Sequence, residues 1–369
     1  MRIYLAWQYI TGYSTSGMHE LVAQGHDVKL MYQEALVKPP FLAPFDDAEL
    51  TKGLDAVGWT GQPDEDLLLQ QVEEFQPDVL VVNSWHIKAY MRLAKKWTGK
   101  ALRVVVMDHQ WDGTLKQWGA RLTRNLYIQR YFDAAWMPSD PQAEFARHLG
   151  FKQHQIITGL YTCEDAFFTG PQENPADAFL LVGRLLDTKG VDVLAAAYRK
   201  YREQSEAAGK APWGLTVAGI GPMEDDLKAI PGVEVLGFVM PKDLPAVMAR
   251  TGCMILPSRW EPWGVVVHEA VASGQAVILT QVCGAASKLV NDGYNGRVIA
   301  VGEVDEMVEA MHWIANADPQ LRKEISRRSA ELAKQFTPQF MASNLVSKAV
   351  ELLPEALGQK TGQKTGQRD

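Results

Sequence analysis

The chain has 369 residues, which is long for one hydrophobic core and natural for two domains. Its 47% hydrophobic and 22% charged residues are typical of a globular protein, and a net charge of −7 argues against a protein that binds nucleic acid. The three cysteines form neither a CxxC pair nor a zinc-type cluster with histidines, so we interpret them as buried thiols.

Short apolar runs alternate with helix-like segments through the first half of the chain. The predicted strands are 2–7, 25–31, 78–82 and 102–107. Continuous Val and Leu runs suit parallel strands that are covered on both faces, and their alternation with helices predicts an α/β, doubly wound domain. Residues 39–63 are predicted to form an irregular insertion because they are bounded by prolines.

The same alternation of apolar runs and helix-like segments begins again in the second half, after a segment rich in turn formers and acids. The predicted strands there are 179–182, 215–218, 233–236, 253–256 and 276–279. We therefore predict two Rossmann-like domains with a ligand cleft between them. The predicted divisions are a first domain at 1–163, a linker at 164–178, a second domain at 179–335, a helix at 336–357 that packs back on the first domain, and a disordered tail at 358–369.

Two loops of the second domain carry candidate chemistry. Glu261 to Gly264 lies between a strand and a helix that Gly274 should end, so the positive end of that helix suits a phosphate. Glu269, about one turn inside the helix, has the position to accept ribose hydroxyls. In the other loop Arg184 and Lys189 could face one diphosphate and stabilise it as a leaving group without a metal. The alternative is that all four are ordinary solvated charges.

The ordered set of motifs resembles the retaining GT-B glycosyltransferases of family 4. It includes Gly-Arg-x4-Lys-Gly from Gly183, Gly-x-Gly-Pro from Gly219 and Glu-x7-Glu from Glu261. The resemblance covers residues 179–335 and implies a GT-B fold, a nucleotide-sugar donor, no cofactor and no metal. It also implies roles by position: diphosphate binding by Arg184, Lys189, Gly264, Val265 and Val266; ribose binding by Glu269; sugar contact and catalysis by Glu261; and proximity to the base for Gly237, Phe238, Val239 and Met240.

The first domain matches the family less well. The resemblance implies that His86 faces the reacting sugar as a second catalytic residue, and that Asp108, His109 and Ser139 line the acceptor side. A structural histidine remains the alternative for His86. A metal at Asp108, His109 and Asp112 is disfavoured because no further ligand has a suitable spacing. The spacing of Thr15-Ser-Gly17 and Gly25 predicts a shortened first helix.

Charge is distributed unevenly along the first domain. Residues 88–152 contain twelve lysines and arginines but five acids, which suggests a peripheral membrane contact, a pocket for an anionic acceptor or a solvated basic face. No secretory signal pattern or spanning apolar run is recognised, so we expect a cytoplasmic protein, peripheral at the inner membrane face if it docks. Asp64-Glu-Asp66 is interpreted as a helix start rather than a metal motif.

These features predict a retaining, metal-independent glycosyltransferase that moves a hexosyl unit from a nucleotide diphosphate sugar. A UDP-sugar is favoured, and the acceptor is a hydroxyl of a glycan, a lipid-linked intermediate or a small molecule. Two alternatives share the architecture: a sugar-nucleotide epimerase and a non-catalytic sugar-nucleotide-binding protein.

Overall fold

The computed structural model describes residues 1–34 and 46–358, and these form two compact units. The first unit comprises Met1–Tyr161 and the segment that begins at Pro338, and the second comprises Thr162–Thr337. Every strand pairing of the described residues is parallel. The predicted α/β class with two doubly wound sheets is therefore confirmed.

In residues 1–34 and 46–161, the first unit contains seven strands and seven helices. The strands are β1 (Arg2–Ala6), β2 (Asp27–Gln33), β3 (Asp55–Trp59), β4 (Val79–Asn83), β5 (Leu102–Val106), β6 (Ala134–Trp136) and β7 (Ile156–Ile157). The helices are α1 (Gly12–Ala23), α2 (Asp47–Leu50), α3 (Glu65–Phe75), α4 (Lys88–Lys96), α5 (Leu115–Thr123), α6 (Ile128–Tyr131) and α7 (Asp140–His148). The strand order is β3-β2-β1-β4-β5-β6-β7, so the direction of winding changes between β1 and β4.

Both faces of this sheet are buried. Ile3 and Leu5 belong to one apolar cluster, whereas Tyr4 and Ala6 belong to the cluster on the opposite face. Because side chains alternate along a strand, a strand covered on both faces needs apolar residues at every position. This explains why the continuous apolar runs were correct indicators of strands.

The second unit contains six strands and seven helices. The strands are β8 (Ala178–Val182), β9 (Gly214–Ala218), β10 (Val233–Gly237), β11 (Cys253–Leu256), β12 (Ala276–Thr280) and β13 (Gly296–Ile299). The helices are α8 (Val191–Ala207), α9 (Glu224–Lys228), α10 (Leu244–Met248), α11 (Val265–Ala272), α12 (Ala286–Leu289), α13 (Val304–Ala315) and α14 (Pro319–Ala333). The strand order β10-β9-β8-β11-β12-β13 puts the change of winding between β8 and β11.

The last helix, α15 (Pro338–Ala356), belongs to the first unit and packs against α1. Met341, Leu345 and Leu352 of α15 are buried in the same apolar cluster as Ile3. Gly17 of α1 lies against Met341 so closely that a Cβ atom there would overlap the Met341 side chain. The glycine therefore allows the two helices to approach.

The prediction of a shortened first helix is wrong. Helix α1 has 12 residues and begins at Gly12, so Thr15 to Gly17 lies inside the helix rather than before it. Ser14 Oγ accepts a hydrogen bond from the Thr11 backbone N–H at 3.1 Å and satisfies a donor at the helix start. The interpretation failed because Gly17 serves helix packing, not a turn.

Two other segment predictions need correction. The described part of the predicted insertion at 39–63 contains α2 and the edge strand β3, and residues 35–45 lie outside the described residues. The predicted linker at 164–178 belongs to the second unit, where the Gln172 backbone N–H donates to Ser326 Oγ at 2.7 Å. The predicted tail, apart from Gly358, also lies outside the described residues.

Two local predictions are confirmed. Asp64 caps α3, and its carboxylate accepts from the backbone N–H groups of Asp66 and Leu67 at 3.0 and 3.1 Å. The cysteines Cys163, Cys253 and Cys283 are all buried free thiols.

Candidate active site

The second sheet brings two predicted loops together at its point of reversal. Strands β8 and β11 are neighbours, and the loops 183–190 and 257–264 leave their carboxyl ends. In a doubly wound sheet, ligands bind where the winding changes direction, because the two loops there diverge and leave a crevice. The Gly183 to Gly190 and Glu261 to Gly264 segments therefore meet at the edge where such a fold binds ligands.

Glycines allow these loops to touch. Gly190 has φ +66°, and a Cβ atom there would overlap the carbonyl oxygen of Pro257. Gly219, in the loop after β9, would likewise overlap the carbonyl oxygen of Gly183. The Arg259 backbone N–H donates to the Thr188 carbonyl at 2.9 Å, which adds a direct bond between the loops. The three glycine-containing motifs thus form one contiguous surface.

Lys189 and Glu261 form an ion pair within this surface. Their side chains are only 19% and 11% exposed, and Ser258 Oγ lies 3.4 Å from the same Glu261 oxygen. A pair so poorly solvated holds its geometry more firmly than an exposed one. Arg184, in the same loop as Lys189, is exposed. The structure therefore combines a fixed cation with a solvent-accessible one, beside a carboxylate.

Helix α11 begins at this surface. Gly264 has φ +90° directly before the helix, and a Cβ atom there would lie 2.8 Å from Cys283 Sγ. Val265 and Val266 form the first turn and are half-buried. The start of a helix presents backbone N–H groups and positive potential, so this turn can accept an anion.

Glu269 lies one turn further along α11 and is half-buried. Burial, together with a smaller effect of the nearby Glu164 carboxylate, raises the pKa of Glu269 to about 8. Burial also raises the pKa of Glu164. Glu269 is therefore largely protonated at neutral pH and can both donate and accept hydrogen bonds.

Sequence reasoning missed two contributors to the site. Glu164 lies in the segment predicted as a linker, and no motif marks it. Arg259 forms a bidentate ion pair with Asp192 of α8 at 2.6 and 2.7 Å and donates to the Asp187 carbonyl at 2.6 Å. The ion pair with Arg259 lowers the pKa of Asp192 and connects the loop 257–264 to the start of α8. The sequence signal that could have identified Arg259 was its position close to the Glu-x7-Glu motif.

The residues predicted to lie near the base follow β10. Gly237 has φ +72°, Val239 is half-buried, and Phe238 and Met240 are 47% and 37% exposed. Ile220, in the loop after the neighbouring strand β9, is 46% exposed. Exposed apolar side chains at this edge form a surface on which a planar ring can pack.

In the first unit, His86 follows β4 at the other point of sheet reversal and is exposed. Ser84 has φ +74°, which is rare for a residue other than glycine, and its Oγ donates to Gln8 Oε1 at 2.8 Å. Gln8 follows β1, so this bond joins the loops after β1 and β4.

Asp108 and His109 follow β5 and form an ion pair with 3.1 Å between Oδ1 and Nδ1. The Tyr161 hydroxyl donates to Asp108 at 3.2 Å. Burial alone would raise the pKa of Asp108, but the hydrogen bonds from His109 and Tyr161 outweigh burial and lower it. The hydrogen bond to Asp108 raises the pKa of His109 in turn.

Ser139 lies immediately before α7 and is fully buried, and its Oγ donates to Gln142 at 2.8 Å. Its hydroxyl points into the protein, so its burial gives no support to the prediction that Ser139 lines an acceptor site. Across residues 1–34 and 46–358, no three His, Cys, Asp or Glu residues are grouped as metal ligands. Over the same ranges, no helix has the length and apolar character needed to cross a bilayer.

Comparisons with known proteins show which sequences and folds are similar to this chain. Residues 164–332 match the family described as glycosyl transferases group 1. The alpha-D-kanosaminyltransferase of Streptomyces kanamyceticus is 28% identical to this chain over 42% of the chain's residues. This match covers only 40% of the length of that relative. Glycogen synthase of Mycobacterium tuberculosis is 24% identical over 91% of this chain and 90% of its own length.

Solved structures match nearly the full length of the chain. Anabaena Alr3699/HepE in complex with UDP and glucose has a TM-score of 0.72 at 17% identity, over 95% of this chain and 100% of that chain. A glycosyltransferase from Rickettsia africae has a TM-score of 0.71 at 14% identity, over 96% of this chain and 98% of that chain. These solved structures show that the chain has the GT-B fold. The similarity to the glycosyl transferases group 1 family lies within residues 164–332, which are less than half of the chain.

Proposed function

We propose that the protein transfers a hexosyl unit from a nucleotide diphosphate sugar to an acceptor hydroxyl, with retention of configuration and without a metal. One observation carries the proposal: the loops after β8 and β11 bring Lys189, Glu261 and the start of α11 to the same edge of the second sheet. This arrangement combines a cation, a carboxylate and a helix N-terminus, which suit a diphosphate joined to a sugar.

Each of these groups has a role in the proposed reaction. Lys189, Arg184 and the backbone at Gly264, Val265 and Val266 bind the diphosphate and stabilise the negative charge that it gains as the sugar bond breaks. This removes the need for a metal to bind the leaving group. Transfer of a proton from the acceptor hydroxyl to the departing phosphate on the same face balances the reaction and retains the configuration.

The remaining groups orient the donor. Glu261 contacts the sugar hydroxyls while Lys189 holds its carboxylate in place. Glu269, with its raised pKa, binds the ribose hydroxyls. Phe238 and Met240 provide an apolar surface for the base. In the first unit, His86 is proposed to face the reacting sugar, and Asp108 with His109 is proposed to contact the acceptor.

A UDP-sugar is the favoured donor. Support comes from Anabaena Alr3699/HepE, whose structures were solved with UDP and with UDP-glucose. A thermal-shift screen of the full chain with UDP, GDP and ADP tests this choice, because a ligand that binds the folded state raises Tm by mass action. We expect UDP to give the largest shift. A larger shift with GDP or ADP would contradict the choice of base.

Metal independence has a separate test. Purified protein is assayed for UDP release from a panel of UDP-hexoses in EDTA. We expect activity to persist on chelation. Loss of activity that added Mg²⁺ or Mn²⁺ restores would contradict the metal-independent mechanism, and an epimer formed from the sugar nucleotide alone would indicate an epimerase instead.

The acceptor is proposed to be a hydroxyl of a glycan, a lipid-linked intermediate or a small molecule. We further propose a cytoplasmic protein that contacts the inner membrane face peripherally through the basic residues 88–152. Arg103 does not contribute to such a contact, since it is 4% exposed and ion-paired with Asp133 at 2.7 Å. The basic surface is therefore narrower than the sequence range suggests.

A further inference from the structure

Helix α5 and the turn after it expose an unusual amount of apolar surface. Leu115 is 91% exposed, Leu122 is 82% exposed and Trp118 is 44% exposed. Leu126 and Tyr127, in the following turn, are 66% and 59% exposed. None of the residues of α5 is buried. We call these five side chains the α5 patch.

The α5 patch has helical periodicity. Leu115, Trp118 and Leu122 are three and four residues apart, so they lie on one face of the helix. In a helix that packs on its own domain this face would be buried. Short helices gain most of their stability from such packing. Trp118 contacts Trp111 of its own unit with 5.5 Å between ring centroids, whereas Leu115 and Leu122 stay mostly exposed. These two leucines therefore indicate that α5 has a partner outside the described residues.

Charge identifies the chemistry of that partner. Residues 113–132 contain Lys116, Arg121, Arg124 and Arg130 but no acid, although the whole chain carries a net charge of −7. Lys116 and Arg130 are exposed, and the Arg121 guanidinium stacks over the Trp118 ring at 4.9 Å. Leucine, tryptophan and cations on one exposed helix match the composition of helices that lie in the interface of an anionic bilayer.

We propose that α5 lies in the plane of an anionic lipid bilayer, with the α5 patch inserted among the acyl chains and its cations at the headgroups. A second copy of the chain fits less well, because a symmetric contact would set cations against cations. The proposal rests on the peripheral membrane contact proposed above and locates it at α5. Its failure is distinguishable from a failure of the transfer reaction, since binding to vesicles is measured without a donor or acceptor.

Site-specific fluorescence tests the insertion. All three native cysteines are buried, so a polarity-sensitive dye on a Leu122→Cys variant labels one position. Val350→Cys is the matched control, since Val350 is 62% exposed on α15 of the same unit. With vesicles of phosphatidylglycerol and phosphatidylcholine, we expect emission to rise and shift to the blue at position 122 only. Equal responses at both positions, or no response at 122, would overturn the proposal.

Vesicle co-sedimentation tests the energetics. We expect the double variant Leu115→Ser and Leu122→Ser to bind these vesicles at least about tenfold more weakly than the unmodified chain, whereas Val350→Ser binds as well as that chain. Circular dichroism confirms that the variants are folded. Equal binding by the double variant and the unmodified chain would refute a role for the α5 patch.

Two further measurements distinguish docking by α5 from a diffuse basic face and from a dimer of the chain. Lys116→Glu is expected to weaken vesicle binding more than Lys96→Glu, which changes an exposed lysine on α4. Equal weakening would point to a diffuse basic face and against docking by α5. Sedimentation velocity without lipid is expected to show no association that depends on Leu122. A dimer abolished by Leu122→Ser would show that a second copy covers the patch.

Discussion

Lys189 and Glu261 are separated by 72 residues in sequence, yet each is the charged partner of the other. A diphosphate that binds at Lys189 joins an existing pair rather than an isolated cation. The carboxylate keeps the ammonium group oriented, and the ammonium group neutralises a carboxylate that is only 11% exposed. The orientation of Lys189 and the neutralisation of Glu261 therefore each depend on the other residue before any donor is present.

Replacement of Lys189 tests this dependence. Lys189→Ala is expected to lower kcat/KM for the donor by about 100-fold, because it removes a cation that stabilises the leaving diphosphate. It should also weaken UDP binding measured by calorimetry. Lys228→Ala is the matched control, since it breaks an exposed ion pair with Glu224 in the same unit. Similar activity losses in the two variants would contradict the assignment.

Glu269 makes the stability of the protein depend on pH. Its folded-state pKa of about 8 lies above the ordinary value of 4.5, so the folded state retains a proton that the unfolded state loses between these values. The stabilising contribution is complete below pH 4.5 and is lost as pH rises through 8. We expect the free energy of unfolding to fall between pH 5 and pH 8, by about 1–3 kcal/mol from this residue.

Urea unfolding at both pH values measures this dependence. In Glu269→Gln the fall should be smaller by that amount, because the amide does not titrate. Glu234→Gln, which changes an exposed carboxylate on β10, is the control and should keep the full dependence. Parallel pH profiles for the unmodified protein and Glu269→Gln would contradict the raised pKa.

At the scale of single residues, sequence spacing identified the candidate groups but not their partners. Glu261 and Lys189 were each predicted from a local motif, whereas their pairing depends on two strands becoming neighbours. Glu164 was missed because it lies in a segment with no motif and a turn-like composition. The exposure of His86 and the burial of Ser139 also depend on packing that local patterns do not describe.

At the scale of elements, Gly190 joins the two loops of the site. Gly190→Ala would place a methyl group against the Pro257 carbonyl at a backbone φ of +66°. Gly209→Ala introduces the same residue at φ +69°, where nothing lies within 4 Å. Both variants incur a cost of about 1–2 kcal/mol for the left-handed conformation.

Only Gly190→Ala adds the overlap between the loops. We expect it to lose at least about 2 kcal/mol more stability in urea unfolding than Gly209→Ala, and to lose UDP binding as well. Equal destabilisation of the two variants, with UDP binding intact in both, would show that contact between the loops is unimportant for the site.

The elements that sequence reasoning found and missed differ in a physical way. Strands β1, β4, β5, β11 and β12 are buried on both faces, so a mainly apolar run marked each one, even in β5, where Arg103 interrupts it. Strand β3 lies at the edge of its sheet and has mostly half-exposed residues. Strands β6 and β7 have only three and two residues. Edge position and short length remove the signal that a buried strand provides.

At the scale of the whole molecule, α15 returns the chain from the second unit to the first. Leu345 is fully buried there, whereas Val350 on the same helix is 62% exposed. Leu345→Ala is expected to lower the free energy of unfolding by about 2–4 kcal/mol, and Val350→Ala by less than about 0.5 kcal/mol. Limited proteolysis should then cleave the first unit before the second. Equal effects of the two variants would contradict the packing of α15.

The two-domain plan itself was predictable, because a strand and helix pattern that occurs twice requires two sheets. The boundaries of the two domains were less predictable from the sequence. Residues 164–177 have the composition of a linker but pack within the second unit, since polar side chains such as Gln172 find partners there. The composition of a segment shows that it is poor in apolar side chains, whereas its place in the fold depends on hydrogen bonds to residues distant in sequence.

Sugar transfer with retention, from a nucleotide diphosphate donor, is the property on which the proposed function depends. The most direct test follows the sugar released from UDP-glucose in EDTA by proton NMR, before the anomers equilibrate. We predict that UDP appears together with the α-anomer, and that Lys189→Ala lowers this rate by about 100-fold while Lys228→Ala does not. Release of the β-anomer would contradict retention. Absence of UDP release from every UDP-hexose tested, with or without candidate acceptors, would contradict the proposed donor.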